Sequence, residues 1–165
     1  MDNILPKLKQ AGHKVLIFSQ FTSMLDILSK ELTAKEIKHL MLTGSTKTNE
    51  RLALTEQFNS DDTPVFLISL KAGGTGLNLT GADVVIHYDP WWNPAVEDQA
   101  TDRAYRIGQT KKVFVYRIIT KNTVEEKIQK LKTRKRDLVD SVISVDRNIT
   151  KSLTMEDIKE IFSAD

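Results

Sequence analysis

Two arginines, Arg103 and Arg106, are the side chains whose type and spacing most directly suggest chemistry. Residues three apart on an α-helix are neighbours, so the spacing predicts that both guanidinium groups project from one helix face. A guanidinium is always charged and binds pairs of oxygen atoms, which suits the oxygens of a phosphate. The first hypothesis is therefore a polyphosphate ligand. The alternative is that both arginines are solvated or paired with nearby carboxylates, such as Asp98 or Asp102.

Three elements must position these arginines. A β-branched apolar run at 65–70 predicts a strand buried on both faces, and a glycine-rich turn, 71–81, follows it. A second apolar run, 83–87, leads through 88–94 into the arginine helix, which is predicted to span 94–106. In open parallel sheets, ligands bind at the carboxyl ends of the strands. Because 71–81 and 88–94 both leave strands at that edge, we expect the candidate residues to converge there.

Strands and helices alternate along the rest of the chain, which favours a three-layer α/β domain with a mostly parallel sheet. Further strands are predicted at 14–19, 38–42 and 113–119, and further helices at 4–11, at 22–34 and after a cap at Thr48 or Asn49, the last with apolar Leu52, Leu54 and Phe58. A capping box of Thr123 and Glu126 opens a long amphipathic helix, a C-terminal helical extension. We expect residues 1–140 to form the domain, and 141–165 a linker and a last helix capped by Thr154.

Composition and missing motifs exclude several kinds of site. The 165 residues include no cysteine, which excludes disulfides and thiolate metal sites, and the three histidines lack metal-ligand spacing, so no metal site is expected. No apolar run approaches a membrane span, so no membrane partner is expected. The sequence has neither a G-x-x-x-x-G-K-[ST] loop nor an acidic pair for magnesium, so a phosphate cradle would have to lie in another domain. Leu79 stands where a G-x-G-x-x-G motif needs its last glycine, and the glycine turn alone is only a turn.

Three motifs carry a resemblance to a known family. One is Q-A-T-D-R-A-Y-R-I-G-Q, from Gln99 to Gln109, and K-A-G-G-T-G-L-N-L and D-P-W-W-N-P precede it. Together they resemble motifs of the Swi/Snf family of DNA-translocating ATPases, and the similarity extends from His13 to about residue 128. The resemblance implies the second, C-terminal RecA-like lobe of such a motor. A first lobe, which would carry the phosphate loop and the magnesium carboxylates, is expected to be absent from this chain.

The resemblance also implies roles at an ATP site shared between two lobes. Arg103 and Arg106 would be catalytic arginine fingers that reach the γ-phosphate of ATP, which is held with Mg²⁺ mainly by the first lobe. Gln99 and Asp102 would orient and link the fingers. The other expected nucleotide-binding or linking residues are Gly74, Gly76 and Asn78. An isolated second lobe is expected to be inactive, because half of the site is missing.

The same resemblance implies that the lobe grips one strand of duplex DNA by its backbone, through hydroxyl groups and main-chain amides. The matching positions are Thr43, Gly44, Ser45, Arg51, Ser69, Lys71, Gly73 and Trp92. On its own, 43–45 is a plain turn with helix capping, and Trp92 could be structural, although only one of Trp91 and Trp92 can face the core. The basic run at 127–136 is either a solvated helix face or a further DNA contact.

Double-stranded DNA and the first lobe are thus the expected partners, with a DNA-bound protein or RNA polymerase as a candidate target of the motor. The tail from Asp146 resembles the brace with which this family's second lobe packs back toward the first. Two other functions stay open: a lobe of a helicase that separates strands, and a non-enzymatic module that binds nucleic acid. The expected location is the nucleus in a eukaryote, or the cytoplasm with nucleoid association in a prokaryote.

Overall fold

A computed structural model describes residues 4–73, 76–89, 91 and 93–141. These residues contain five strands: β1 (Val15–Ser19), β2 (His39–Leu42), β3 (Val65–Ser69), β4 (Val84–His87) and β5 (Phe114–Arg117). The same part of the chain contains six helices: α1 (Leu5–Gln10), α2 (Thr22–Ala34), α3 (Thr48–Ser60), α4 (Leu70–Gly73), α5 (Pro94–Thr101) and α6 (Val124–Ser141). The predicted linker and last helix, with the cap at Thr154, lie outside the described residues.

The five described strands form one parallel sheet in the order β2-β3-β1-β4-β5. Val15 at the start of β1 pairs with Val65 of β3 and with Val84 of β4, so the three central strands begin at the same level. Every residue of these three strands is buried. Burial on both faces explains why their sequences are continuous apolar runs rather than alternating ones.

Helices cover both faces of the sheet and create two apolar cores. One core contains Val15 and Ile17 of β1 with α1 and α2, which contributes Leu25. The other contains the alternate β1 residues with α3, α4 and α5, which contribute Phe58 and Ala100 among others. Successive side chains of a strand point to opposite faces, so β1 supplies both cores. The predicted three-layer architecture is confirmed.

The helix predicted at 94–106 is shorter than expected, because α5 ends at Thr101. Beyond it, the amide of Arg103 bonds to the carbonyl of Ala100 at 3.3 Å and that of Ala104 to Thr101 at 3.0 Å, three residues back rather than four. The carbonyl of Arg103 accepts the amide of Leu79 at 3.0 Å instead of a helical amide. The prediction that both arginines project from one helix face is therefore wrong, since they lie in turns.

Two of the helix starts predicted from capping residues lie among the described residues. At α3, Lys47 occupies the cap position and no side chain caps the helix, so the cap predicted at Thr48 or Asn49 is wrong. At α6, the Thr123 hydroxyl accepts the amide of Glu125 at 3.3 Å, and the Glu126 carboxylate accepts the amide of Asn122 at 3.0 Å. The reciprocal pattern of a capping box is thus present at α6, one residue earlier than the standard arrangement.

Only part of the apolar face predicted for α3 is buried. Phe58 is fully buried and its ring lies 5.2 Å from that of Phe66, whereas Leu52 is 60% exposed. We expect Phe58→Ala to lower the free energy of unfolding by about 3–5 kcal/mol, because it leaves a cavity in the core. The control, Leu52→Ala, should change it by less than about 0.5 kcal/mol. Urea titration of both variants checks this, and equal losses would contradict the described packing of α3.

Candidate functional site

The turns at 102–109, here called the arginine turn, are hydrogen-bonded to the loop at 76–82, which is the second part of the glycine-rich turn. The main-chain bond from Leu79 to Arg103 is one link, and Arg106 Nη1 donates to the carbonyl of Gly76 at 3.4 Å. Gly76 itself has a φ of 59°, in the left-handed region that favours glycine. The structure thus brings two of the predicted segments together at the carboxyl edge of the sheet.

Gln109 holds the same two segments together. Its Nε2 lies within hydrogen-bond distance of the carbonyls of Thr80 (3.0 Å), Ala82 (2.7 Å) and Ala104 (3.1 Å). Its Oε1 accepts the amide of Lys111 at 2.9 Å. The side chain satisfies main-chain groups of a loop and a turn that have no regular partners. Gln109 belonged to the motif that pointed to the family, but no role was predicted for it.

Arg103 and Arg106 lie in different environments. Arg103 is only 9% exposed, and its buried Nε has no hydrogen-bond partner. Burial lowers the pKa of Arg103, and the neighbouring charge of Arg106 lowers it further, against an opposing effect of Asp102. Arg106 is exposed. Among the described residues neither arginine forms a salt bridge, and Asp98, one of the predicted carboxylate partners, instead lies 3.8 Å from Arg117.

The other predicted nucleotide-site residues lie around this turn. Gln99 in the last turn of α5 and Asp102 directly after it are both exposed. Asn78 is exposed too, and its carbonyl accepts a bond from the Asn59 side chain at 2.8 Å. No bond from Gln99 or the Asp102 side chain to either arginine is seen in the described part of the chain. Gly74 lies outside the described residues.

The predicted DNA-contacting turn follows β2. The hydroxyls of Thr43 and Ser45 lie 2.8 Å apart, and Thr46 Oγ1 accepts the amide of Thr43 at 3.0 Å. Arg51 Nε donates to the carbonyl of Thr46 at 2.8 Å, and its Nη2 to that of Gly44 at 3.1 Å. Arg51 therefore shapes this turn from α3.

The remaining predicted DNA contacts differ in accessibility. Ser69 is buried, and its hydroxyl accepts the amide of Ala72 at 3.3 Å, which caps α4. Lys71 is exposed on α4, which ends at Gly73. Trp91 packs against the core that contains α3 and α5, as expected for one of the two tryptophans. Trp92 lies outside the described residues.

Comparison with known proteins identifies the family. The family model described as the helicase conserved C-terminal domain matches residues 1–108. The Sulfolobus solfataricus SWI2/SNF2 ATPase core domain aligns with a TM-score of 0.73 and 36% identity, over 96% of this chain and 32% of that one. The chain belongs to the helicase C-terminal domain family, in its Swi/Snf branch. The predicted resemblance and the RecA-like fold are both confirmed.

Curated relatives of this Swi/Snf lobe are much longer than the chain. The uncharacterized ATP-dependent helicase MG018 of Mycoplasma genitalium is 46% identical over 161 residues, which are 97% of this chain and 16% of that protein. Helicase swr1 of Schizosaccharomyces pombe is 45% identical over 166 residues, 100% of this chain and 13% of that protein. The chain therefore spans less than a fifth of the length of either relative.

Glu97 is a buried side chain that accepts three hydrogen bonds and for which no role was predicted. It lies in α5, is 2% exposed, and accepts bonds from the amide of Trp91 (2.7 Å), from Arg117 Nε (3.0 Å) and from Lys132 Nζ (2.9 Å). Burial acts to raise the pKa of Glu97, but Lys132 and Arg117 outweigh it and hold the pKa below its usual value. Lys132, predicted on a basic helix face, is only 10% exposed and so is not on a solvated face.

Two further buried polar residues of the Swi/Snf lobe lie at the end of β4 and just after it. Asp89 after β4 accepts the amide of Gln20 at 2.8 Å, and its other oxygen is buried without a partner among the described residues. Burial raises the pKa of Asp89. His87 ends β4, stacks on Phe18 and lies 3.0 Å from the Thr101 hydroxyl through Nε2. His87 lies in an apolar run, which gave no signal that would have identified it, whereas Asp89 opens the D-P-W-W-N-P motif, in which no role was predicted for it.

The described residues contain neither a membrane-spanning helix nor a metal-ligand cluster. No described helix is long and apolar enough to cross a bilayer. No cluster of three or more histidine, aspartate or glutamate side chains suited to a metal ion occurs in the part of the chain that the structure describes.

His87 should make the stability of the Swi/Snf lobe depend on pH. Burial lowers the pKa of His87 from 6.5 to about 4, with Glu97 opposing this and Arg117 and Lys132 adding to it. Below pH 6.5 the unfolded chain binds a proton at His87 that the folded chain excludes. The contribution of His87 to the free energy of unfolding is therefore fully present above pH 6.5 and is lost as the pH falls toward 4. We expect a loss of about 2 kcal/mol between pH 7 and pH 5.

Urea unfolding of the chain and of His87→Gln across this pH range tests the prediction. The variant cannot bind the proton, so its stability should be lower at pH 7 and should lack the loss of about 2 kcal/mol that His87 causes between pH 7 and pH 5. Subtracting one pH profile from the other separates His87 from Asp89, whose raised pKa acts in the opposite direction. Equal pH dependence in both proteins would show that His87 is not buried in its neutral form.

Proposed function

We propose that the chain is the second motor lobe of an ATP-dependent double-stranded DNA translocase of the remodelling type. The observation that carries the proposal is the pair Arg103 and Arg106. Both lie in the arginine turn, which is bonded to the loop at 76–82, and neither forms a salt bridge with a carboxylate among the described residues. Two neighbouring cations that form no salt bridge among the described residues suit an anionic ligand from outside the lobe, although the charge of the exposed Asp102 acts on Arg103. Membership of the Swi/Snf branch supports ATP as that ligand.

The two arginines would act as fingers on the γ-phosphate. Charge accumulates on the phosphoryl oxygens in the transition state, and a positioned guanidinium stabilises it by roughly 10³ to 10⁵ in rate. The buried Nε of Arg103 is an unused donor, and the exposed Arg106 is free to reach a second lobe. Gln99 and Asp102 lie beside the turn, where they would orient the fingers once a partner lobe closes on them.

ATP with Mg²⁺ supplies the phosphoanhydride bond that is broken, and we assign most of its binding to the first lobe because this sequence lacks a phosphate loop. The described residues fit a supporting role. Gly76 and Asn78 border the arginine turn and are exposed, and we place Gly74 with them from its position in the motif. Without the first lobe this chain is expected to show almost no hydrolysis.

DNA would be held at the turn after β2 and along α4. Gly44 supports this assignment, because a side chain there would meet nothing within 4 Å and its φ lies outside the left-handed region. The fold therefore does not require glycine, whereas close approach of a phosphate to the main chain does. Thr43, Ser45 and Lys71 line the same edge, and we place Gly73 and Trp92 there from the motif alone.

Backbone contacts read no sequence, so the motor would act on any duplex, with a DNA-bound protein or RNA polymerase as its target. It would work in the nucleus of a eukaryote, or at the nucleoid in a prokaryote. A strand-separating helicase remains the second candidate, and a strand-displacement assay on the full-length protein distinguishes it from a translocase.

Removal of either finger should abolish ATP turnover. In the full-length protein we expect Arg106→Ala, and separately Arg103→Ala, to reduce DNA-stimulated ATP hydrolysis by about a hundredfold or more. Lys111→Ala removes an exposed cation just beyond the arginine turn and should leave the rate within about twofold. If both arginine variants hydrolyse ATP normally, the two arginines are structural and the proposed function fails. A non-enzymatic binding module would instead bind DNA without ATP turnover, even in the unsubstituted protein.

Lys71 should contribute one phosphate contact. Each neutralised phosphate adds about 0.9 to the slope of log affinity against log salt concentration, so Lys71→Ala should lower this slope by about one. The matched control is Lys30→Ala, an exposed lysine on α2, which covers the opposite face of the sheet. Titration of the full-length proteins with a duplex over a range of salt gives both slopes. An unchanged slope in Lys71→Ala would exclude this residue from the DNA contact.

A further inference from the structure

One buried carboxylate joins four segments of the lobe. Glu97 Oε1 accepts bonds from the amide of Trp91 and from Lys132 Nζ, and its Oε2 from Arg117 Nε. These partners belong to the loop before α5, to α6 and to β5, and Glu97 itself lies in α5. Lys132 is 35 residues away in sequence, so the contact ties α6 to α5.

We propose that Glu97 is a positioning residue, which through Lys132 lets the packing of α6 set the position of the arginine turn. The proposal rests on the proposed function, since it assigns the turn a role in hydrolysis. Glu97 lies one helical turn before Thr101, where α5 ends and the arginine turn begins. A shift of α5 would therefore move Arg103 and Arg106 together.

The chemistry of the cluster favours orientation over stability. Desolvation of buried charges is costly, and well-packed apolar residues often stabilise a core as well as a buried ion pair does. A carboxylate that receives three donors from fixed directions, however, allows only one arrangement of the elements that carry them. The Trp91 amide adds the loop before α5 to that arrangement, and the His87 contact to Thr101 anchors the other end of the helix.

Misplaced fingers should slow the chemical step more than they weaken binding, because the first lobe holds most of the nucleotide. Errors of about 1 Å in position can reduce rates by about a hundredfold. In the full-length protein, Lys132→Met should therefore lower kcat for DNA-stimulated ATP hydrolysis about tenfold or more, with KM for ATP within about twofold. Lys132→Arg, which keeps a positive charge beside the Glu97 carboxylate, should recover most of kcat.

Two further variants complete the test. Glu97→Gln should lower kcat in the same way. The kcat of the double variant, Glu97→Gln with Lys132→Met, should be no lower than that of the less active single variant, since both substitutions break the same contact. The matched control is Lys121→Met, an exposed lysine just before α6, which should retain kcat. If Glu97→Gln does not fold, Lys132→Met and its arginine rescue decide the matter, because Glu97 then keeps Arg117 as a partner.

The outcomes separate this proposal from the one on which it depends. Normal kcat in Lys132→Met, or a rise in KM with kcat unchanged, overturns the positioning role while the inactivity of Arg106→Ala still supports the motor lobe. A loss of kcat that Lys132→Arg does not recover, or that Lys121→Met shares, also overturns it. Full activity of Arg106→Ala overturns the proposed function itself, whatever the Lys132 variants do.

Discussion

The burial of β1, β3 and β4 on both faces is the constraint on which the rest of the structure depends. Because helices cover both faces of these strands, main-chain groups remain accessible at the two ends of the strands, which are the amino and carboxyl edges of the sheet. Parallel strands send all of their carboxyl ends to one edge, and the turn after β2, the start of α4 and the loop before α5 all begin there. Residues far apart in sequence are thereby collected without a cleft between domains.

At that edge, irregular segments replace helical geometry as the means of placing side chains. The arginine turn is defined by bonds to a loop more than twenty residues earlier, through Leu79, Gly76 and Gln109. Such bonds fix a turn as firmly as a helix would, because each satisfies a main-chain group that would otherwise be unpaired. They also give the two arginines different degrees of exposure, which a shared helix face would not.

The sequence was most informative where burial alone decides the structure. Continuous apolar runs predicted all five described strands to within three residues at either end, and the Thr123 and Glu126 pair predicted the start of α6. It failed where a distant contact decides. Nothing local ends α5 at Thr101, since the residues beyond it favour a helix, and the bond from Leu79 is made by a separate loop. Glu97 was missed for the same reason, because its charged partners lie 20 and 35 residues away.

The unpaired Nε of Arg103 has a cost in stability. A buried donor without an acceptor costs about 1–3 kcal/mol, more when it is charged, and folded proteins rarely retain one unless it has a use. An internal carboxylate at this position would remove that cost, yet Asp98 lies beside Arg117 and Glu97 is occupied by Lys132. Asp102 lies close enough to oppose the lowering of the Arg103 pKa, but it is exposed and accepts no bond from the Arg103 Nε among the described residues. The unpaired Nε therefore lowers the stability of the lobe at Arg103, where burial and the charge of Arg106 also lower the pKa of the guanidinium.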